Sequence, residues 1–208
     1  VLPSFAPAVG AGAGGQEWEV PRFLRTAKRA ALSPMERGTA MHALMQHLDF
    51  AEVPDIAAIE RQARSLFDQG ILTEEAYQSL DVRNVWRFVS SALGRRLRAA
   101  KRVYRELPFG RLLPAKKYYK EAQDEADRIF LQGIIDVLFE EENGDYILLD
   151  YKTDRHISPQ DARTRYQFQI DLYCDAVETI LGRPVKECYL FLLDTGREVR
   201  MERQAASA

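Results

Sequence analysis

Two apolar segments joined by Glu142-Asn143-Gly144 constrain this chain more than any other part of it. Residues 128–141 and 146–152 are rich in Ile, Leu, Val and Phe, and Asn-Gly between two such runs is a strong hairpin signal. The first run contains Gly133-Ile134-Ile135-Asp136, and the second ends in Leu149-Asp150-Tyr151-Lys152-Thr153-Asp154. The loop decides what faces what. A two-residue turn at Asn143-Gly144 sets Asp136 opposite Tyr151 and leaves Asp150 on the other face. A three-residue loop with Gly144 left-handed sets Glu141 opposite Asp145 and Asp136 opposite Asp150, with Lys152 following on the same face. Facing carboxylates repel and are costly to bury, and a divalent cation between them removes both penalties. The three-residue loop with a metal is the expected arrangement. Taken alone, Asp-x-Lys on a hairpin reads equally as an exposed ion pair, so the rest of the chain has to decide.

The order of elements supplies context. Ser33-Pro34-Met35-Glu36 is a capping box. It predicts a helix to about Leu48, with Met41, Leu44, Met45 and Leu48 inward and His42 and His47 along it. Gly38, one turn before His42, allows another backbone to come close. Further helices are expected over 54–70, 73–79 and 81–99, the last with arginines at its C-terminal end. Strands are expected over 102–107 and 112–121, interrupted at Pro114, before the hairpin. Ser158-Pro159 starts a helix that runs to Ile180 or Leu181 and stops at Gly182-Arg183-Pro184. Strands over 185–193 and 198–203 close the chain. The strand–helix–strand passage from 146 to 193 implies a right-handed crossover and a parallel pair. With the antiparallel hairpin, this makes a mixed sheet flanked by helices.

Composition excludes several classes. The 208 residues suffice for one core, 46% are hydrophobic and 29% charged, and no apolar run approaches the length of about 20 residues that spans a membrane. The N-terminus lacks the basic and apolar regions of a signal peptide. Cys174 and Cys188 form no C-x-x-C pattern, which leaves no zinc or iron–sulfur site and points to a reduced, cytosolic setting. The net charge of −2 rules out a polycation. Arg95, Arg96, Arg98, Lys101, Arg102 and Arg105 nevertheless cluster, with Lys116, Lys117 and Lys120 soon after, and such a stripe either tracks a phosphate backbone or is a solvated face. Residues 1–15 are uncharged and rich in Ala, Gly and Pro. They read as a linker or arm, and a chain that opens this way looks like a piece of a larger protein.

The chemistry assembles from these parts. Asp136 and Asp150 are hard oxygen ligands for Mg²⁺ or Mn²⁺, and His42 can add an imidazole. Lys152 is a fixed charge able to hold a water and to offset charge on a phosphate. Gln169 and Tyr173, four apart, share a helix face with Tyr166 a turn earlier. Gly133-x-x-Asp136, Asp150-Tyr-Lys152-Thr-Asp154 and Gln169-x-x-x-Tyr173, in this order, resemble the RecB-type nuclease domain of the PD-(D/E)XK superfamily. Arg37 to His47 matches the G-x-x-x-H helix of that family, and Pro21-Arg22-Phe23-Leu24 is similar to the AddA branch of AddAB helicase–nucleases. The resemblance covers residues 20–203.

That resemblance implies a linker over 1–19 and, over 20–208, a nuclease domain of the restriction-endonuclease-like α/β class, a mixed β-sheet flanked by helices with an N-terminal helical region. It implies His42, Asp136, Asp150 and the backbone carbonyl of Tyr151 as metal ligands, and Lys152 as the residue that orients the attacking water. Gln169 and Tyr173 would support the site and touch DNA, Glu106 would place an acid near the metal, and His47 and His156 would be structural or surface residues. The cofactor would be Mg²⁺ or Mn²⁺. The AddB-type cysteine set for an iron–sulfur cluster is missing from the sequence, as is any G-x-x-x-x-G-K-[ST] nucleotide site. The expected activity is a deoxyribonuclease, exonucleolytic in its parent complex, acting on single strands in double-strand-break repair. Its partners would be DNA, the helicase domains of the parent chain and an AddB-type protein, in the cytoplasm and away from membranes. The alternatives are a DNA-binding scaffold that keeps the fold without cutting, and a free-standing endonuclease.

Overall fold

The capping box at Ser33 forms as its residues predict. Ser33 Oγ accepts the Glu36 N–H at 3.2 Å, and Glu36 Oε2 accepts the Ser33 N–H at 2.7 Å. The helix it starts, α1, spans Pro34–His47 in the computed structural model. The structure describes residues 32–115, 124 and 126–203. The chain divides into two units, residues 1–31 and 32–208, and every described residue lies in the second. The arm over 1–19, the Pro21–Leu24 motif and Lys116, Lys117 and Lys120 therefore lie outside the described residues.

Three further helical stretches follow. Asp55 caps α2 (Ile56–Asp68) and Thr73 caps α3 (Glu74–Ser79). The single helix expected over 81–99 is two, α4 (Val82–Val89) and α5 (Ala92–Arg98). Ser91 Oγ accepts the Gly94 N–H at 3.0 Å and so caps the second piece. A Cβ on Gly94 would lie 2.0 Å from the Phe88 carbonyl oxygen, so only glycine lets the two helices turn this sharply.

The sheet has five strands in the order β1-β2-β3-β4-β5. They are β1 (Arg102–Pro114), β2 (Arg128–Glu140), β3 (Tyr146–Lys152), β4 (Val185–Leu192) and β5 (Arg197–Met201). Helix α6 (Pro159–Leu181) joins β3 to β4, which run parallel, and all other neighbours are antiparallel. Gly182, at φ 64°, closes α6 in the left-handed conformation. Where two strands were expected before the hairpin, β1 is one continuous edge strand. Pro108 sits inside it opposite Ile134, a place where an edge strand tolerates a missing N–H.

The hairpin takes the three-residue loop. Val137 pairs with Leu149 and Glu140 with Tyr146. The Gly144 N–H donates to the Glu141 carbonyl at 2.9 Å, the Glu141 N–H donates to the Asp145 carbonyl at 2.9 Å, and Gly144 has φ 85°. Continued one position past the last pair, this register sets Asp136 opposite Asp150.

Helices cover both faces of the sheet. Leu44, Met45, Phe88, Phe139, Leu149 and Phe191 form a core with α1, α2, α4 and α5 on one side. Leu138, Leu148, Ile170, Cys174 and Leu190 form a second core under α6. Strand β3, buried on both sides, is apolar at nearly every position, as a central strand must be. Alternation fails at one point. Ile135 and Leu138 both face the α6 core although Val137 faces the other, and on β1 Tyr104 and Leu107 are likewise three apart on the α6 side. The two strands change face together at Glu106 and Asp136. Glu106 has φ 47°, a left-handed conformation that a residue with a Cβ adopts only under constraint.

Candidate active site

Beyond the Val137–Leu149 pair the β2–β3 ladder ends. The Tyr151 N–H turns from a backbone partner to a side chain and donates to Asp136 Oδ2 at 2.8 Å. From α1, His42 Nδ1 lies 3.5 Å from the same oxygen. Glu106 completes the group, since His42, Glu106 and Asp136 each offer a ligand atom and these atoms lie within 4.8 Å of one another. The left-handed backbone at Glu106 and the broken alternation at Asp136 are what bring the two strand carboxylates together.

Asp150 lies deeper, with 2% of its surface exposed. Its Oδ2 is 2.7 Å from Lys152 Nζ, but this ion pair is off the hydrogen-bond direction, and the buried oxygen accepts no hydrogen bond. Burial, then the charge of Asp136, push the Asp150 carboxyl up to about 6 against the pull of Lys152. Burial and Asp136 also raise Glu106. For His42, burial pulls the pKa down, yet the hydrogen bond to Asp136 and the charges of Asp136 and Asp150 outweigh it, and the net shift is upward. Three carboxyls and an imidazole thus converge with one ammonium among them. A divalent cation fits: the donors are oxygens and one nitrogen, a buried carboxylate oxygen lacks a hydrogen bond, and the excess negative charge perturbs each neighbour.

Lys152 is tightly held. Its Nζ donates to Gln169 Oε1 at 2.8 Å, and Gln169 Nε2 donates to the Tyr173 hydroxyl at 2.7 Å. The Tyr173 ring stands edge-on to Phe109, with centroids 5.5 Å apart. Gly133 makes room for that contact, because a Cβ there would lie 2.8 Å from the Phe109 ring. Lys152 Nζ also sits 4.1 Å from the centre of the Tyr166 ring. Tyr166 is clamped in turn, its hydroxyl donating to Asp154 Oδ2 at 2.6 Å while Arg165 Nη1 reaches Asp154 Oδ1 at 2.7 Å. Burial and the bond to Asp154 push the Tyr166 phenol up to about 12.

The expected residues His42, Asp136, Asp150, Lys152, Gln169 and Tyr173 are therefore brought together, and Glu106 joins them. The side chain of Tyr151 points away into the core, edge-on to Phe88 at 5.1 Å between centroids, and its hydroxyl has no hydrogen-bond partner. His47 and His156 stay outside the ligand group; His156 is exposed, 3.9 Å from Asp194. Gly38 serves a side chain rather than a backbone, since a Cβ there would lie 2.8 Å from Thr153 Oγ1. The Asp154–Arg165–Tyr166 clamp was not foreseen in the sequence beyond Tyr166 as a polar stripe residue. Its only signal is an acid just after β3 and a cation–aromatic pair in the second turn of α6. The basic cluster is largely structural. Arg96 pairs with Glu141 and Glu187, and Arg105 donates to the Gln46 and Leu48 carbonyls while lying over Phe50. Lys101 and Arg102 lie 3.8 and 3.6 Å from the Glu140 carboxylate.

The family model of the PD-(D/E)XK nuclease superfamily matches residues 17–208. The chain belongs to that superfamily. Its five-stranded mixed sheet with flanking helices is the restriction-endonuclease-like fold of these nucleases. Among curated relatives, the AddA-type ATP-dependent helicase/nuclease of Heliobacterium modesticaldum is 44% identical over 188 residues, covering 87% of this chain and 13% of that protein. Its counterpart in Ruminiclostridium cellulolyticum is 40% identical over 186 residues, covering 87% and 14%. That of Bacillus velezensis is 38% identical over 177 residues, covering 81% and 14%. The nuclease chain thus spans only 13–14% of the length of these relatives. A solved structure, that of SSO0001, aligns over 83% of this chain and 79% of its own at 13% identity and a TM-score of 0.40, too loose a likeness to bear on the site. Among the described residues of the nuclease chain, no helix is long and apolar enough to cross a membrane.

Proposed function

We propose that this chain is a divalent-metal-dependent deoxyribonuclease domain that hydrolyses phosphodiester bonds of single-stranded DNA. The observation that carries this reading is the convergence of His42, Glu106, Asp136 and Asp150 beside a Lys152 fixed by Gln169. His42, Glu106, Asp136, Asp150 and the Tyr151 carbonyl would hold Mg²⁺ or Mn²⁺. Once bound, such a cation supplies Lewis-acid charge to a phosphate oxygen and makes a water more acidic.

The chain's own residues do the rest. Lys152 keeps its ammonium between Asp150 and Gln169, where it can orient a water and offset charge building on the phosphate. Gln169 fixes where that ammonium sits, and Tyr173 fixes Gln169. Asp136, by accepting the Tyr151 N–H, locks the end of β3 and with it the spacing of the carboxylates. Hydrolysis adds water across one P–O bond, with no covalent bond to the protein.

By analogy with the relatives named as ATP-dependent helicase/nucleases, the chain would act as an exonuclease on strands delivered by helicase domains of a longer protein. It would pair with an AddB-type protein and serve break repair in the cytoplasm. The test is cleavage of single-stranded DNA with Mg²⁺ by Asp150→Ala and Lys152→Ala, each expected to lose cleavage. Activity near wild type in both overturns the assignment. Calorimetry with Mn²⁺ separates this reading from a non-cutting scaffold, which would show no binding at millimolar metal.

A further inference from the structure

Strands β1 and β2 outrun the rest of the sheet. β3 pairs with β2 only over Val137–Glu140, whereas β1 and β2 remain paired out to Pro114 and Arg128. One face of this two-stranded extension rests on α6, through Phe109 against Tyr173 and through Arg111 Nη1, which donates to the Asp175 carbonyl at 2.7 Å. The other face is bare. It carries the cross-strand pairs Pro108–Ile134, Gly110–Gln132 and Leu112–Phe130. Leu112 is 66% exposed, Phe130 64% and Ile134 51%. In register, this face begins two positions beyond Glu106 and Asp136, so it leads straight to the candidate metal ligands.

Phe130 is seated in a particular way. A Cβ on Gly110 would lie 3.0 and 3.2 Å from its Cζ and Cε2. The partner of Phe130 across the ladder is Leu112, so the ring leans one pair towards the site and lies over a glycine that leaves room for it. The far side of the ring is open to solvent. The apolar side chains are separated by Gly110 and Gln132, and Arg128 continues the same face. This is a row of discrete contacts along a narrow ribbon, unlike the continuous apolar centre of a protein–protein interface.

We propose that this face is the track on which a single DNA strand lies as it enters the active site, with Phe130 as a base-stacking platform and Leu112 and Ile134 as flanking apolar contacts. The identity of the strand rests on the nuclease reading above. Unpaired bases offer flat apolar faces for an exposed ring of this kind, whereas in a duplex those faces are stacked away. The track therefore selects single strands over duplex and feeds their phosphates to Glu106 and Asp136.

The experiment measures fluorescence anisotropy of labelled oligo(dT) and of a matched duplex in excess EDTA, where nothing is cleaved. Phe130→Ala is expected to weaken oligo(dT) binding roughly 5- to 150-fold, the loss of one stacked base. Duplex binding should not change, and Phe130→Trp should bind at least as well as wild type and show indole quenching on binding. Hydrolysis of bis(p-nitrophenyl) phosphate, which has no bases to stack, should be the same in wild type and Phe130→Ala. Unchanged oligo(dT) binding by Phe130→Ala overturns the track, as does a wild-type dimer that Phe130→Ala splits, since a second copy would then cover the face. If wild type leaves the small diester uncut while Phe130→Ala still loses oligo(dT), the nuclease reading fails and the track stands.

Discussion

Gln169 is the single joint between the Lys152 ammonium and the Tyr173 hydroxyl, and its removal gives a worked expectation. Gln169→Leu keeps the size of the side chain but deletes two hydrogen bonds, one of 2.8 Å from Lys152 Nζ and one of 2.7 Å to the Tyr173 hydroxyl. The first involves a charged donor in a largely buried position and is worth about 1.5–3 kcal/mol; the second is neutral and worth about 0.5–1.5 kcal/mol. Gln169→Leu should therefore destabilise the fold by about 2–4 kcal/mol, and Tyr173→Phe by only about 0.5–1.5 kcal/mol. The two changes share a bond and cannot add. In the Gln169→Leu background, Tyr173→Phe should cost close to nothing, a coupling equal to the neutral bond itself. Urea denaturation of the four proteins measures this, with midpoints compared at constant slope. If Tyr173→Phe costs as much in the Gln169→Leu protein as in wild type, the relay does not exist in solution. If Gln169→Leu also cleaves single strands at the wild-type rate, Lys152 is not positioned by it.

Two further expectations follow from the site and its surroundings. Glu106→Gln removes one charged oxygen from a group whose atoms lie within 4.8 Å of one another; Mn²⁺ affinity by calorimetry should fall at least about tenfold, as loss of even an outer partner does, and an unchanged affinity would remove Glu106 from the ligand set. Arg96 bears on stability and pH: burial raises Glu187, but hydrogen bonds from Arg96 and Tyr189 and the charges of Arg96 and Arg200 outweigh it, and the carboxyl ends below its usual range. A depressed carboxyl stabilises the fold above its unfolded pKa and loses that contribution as pH falls through its lower folded value, so Arg96→Gln should be less stable than wild type at pH 7, with the gap closing below about pH 4; a gap that persists at pH 3 would show that Arg96 acts through packing on Tyr189 instead.

Some of this molecule was legible in its sequence for reasons that can be named. Gly144 fixed the register, because a left-handed glycine closing a three-residue loop has one consequence for every pair beyond it, down to Asp136 and Asp150. The ligands on three separate elements were legible because their order and spacing matched a family, although no two of them are local neighbours. Other features left no trace. Apolar spacing continues across Ser90 and Ser91, so periodicity could not see the break between α4 and α5; only the approach of Gly94 to Phe88 explains it. A proline suggests a strand end only where its missing N–H would have had a partner, and Pro108 on an edge strand has no such cost. The left-handed turn at Glu106 is invisible to composition, because nothing in a glutamate announces positive φ. The arginines looked like a stripe for phosphate because like charges adjacent in sequence say nothing of the acids folded against them.

Asp150 and Lys152 stand on β3, which has a strand on each side and a core on each face. In hydrogen exchange, amides of such a strand open only with the whole molecule, whereas edge strands open locally at a fraction of that free energy. Asp150 and Lys152 should accordingly report global unfolding, while Glu106 on the edge strand β1 can be released without it. The acid that completes the ligand group is then the one the protein can move, and the lysine that meets the phosphate is the one it cannot.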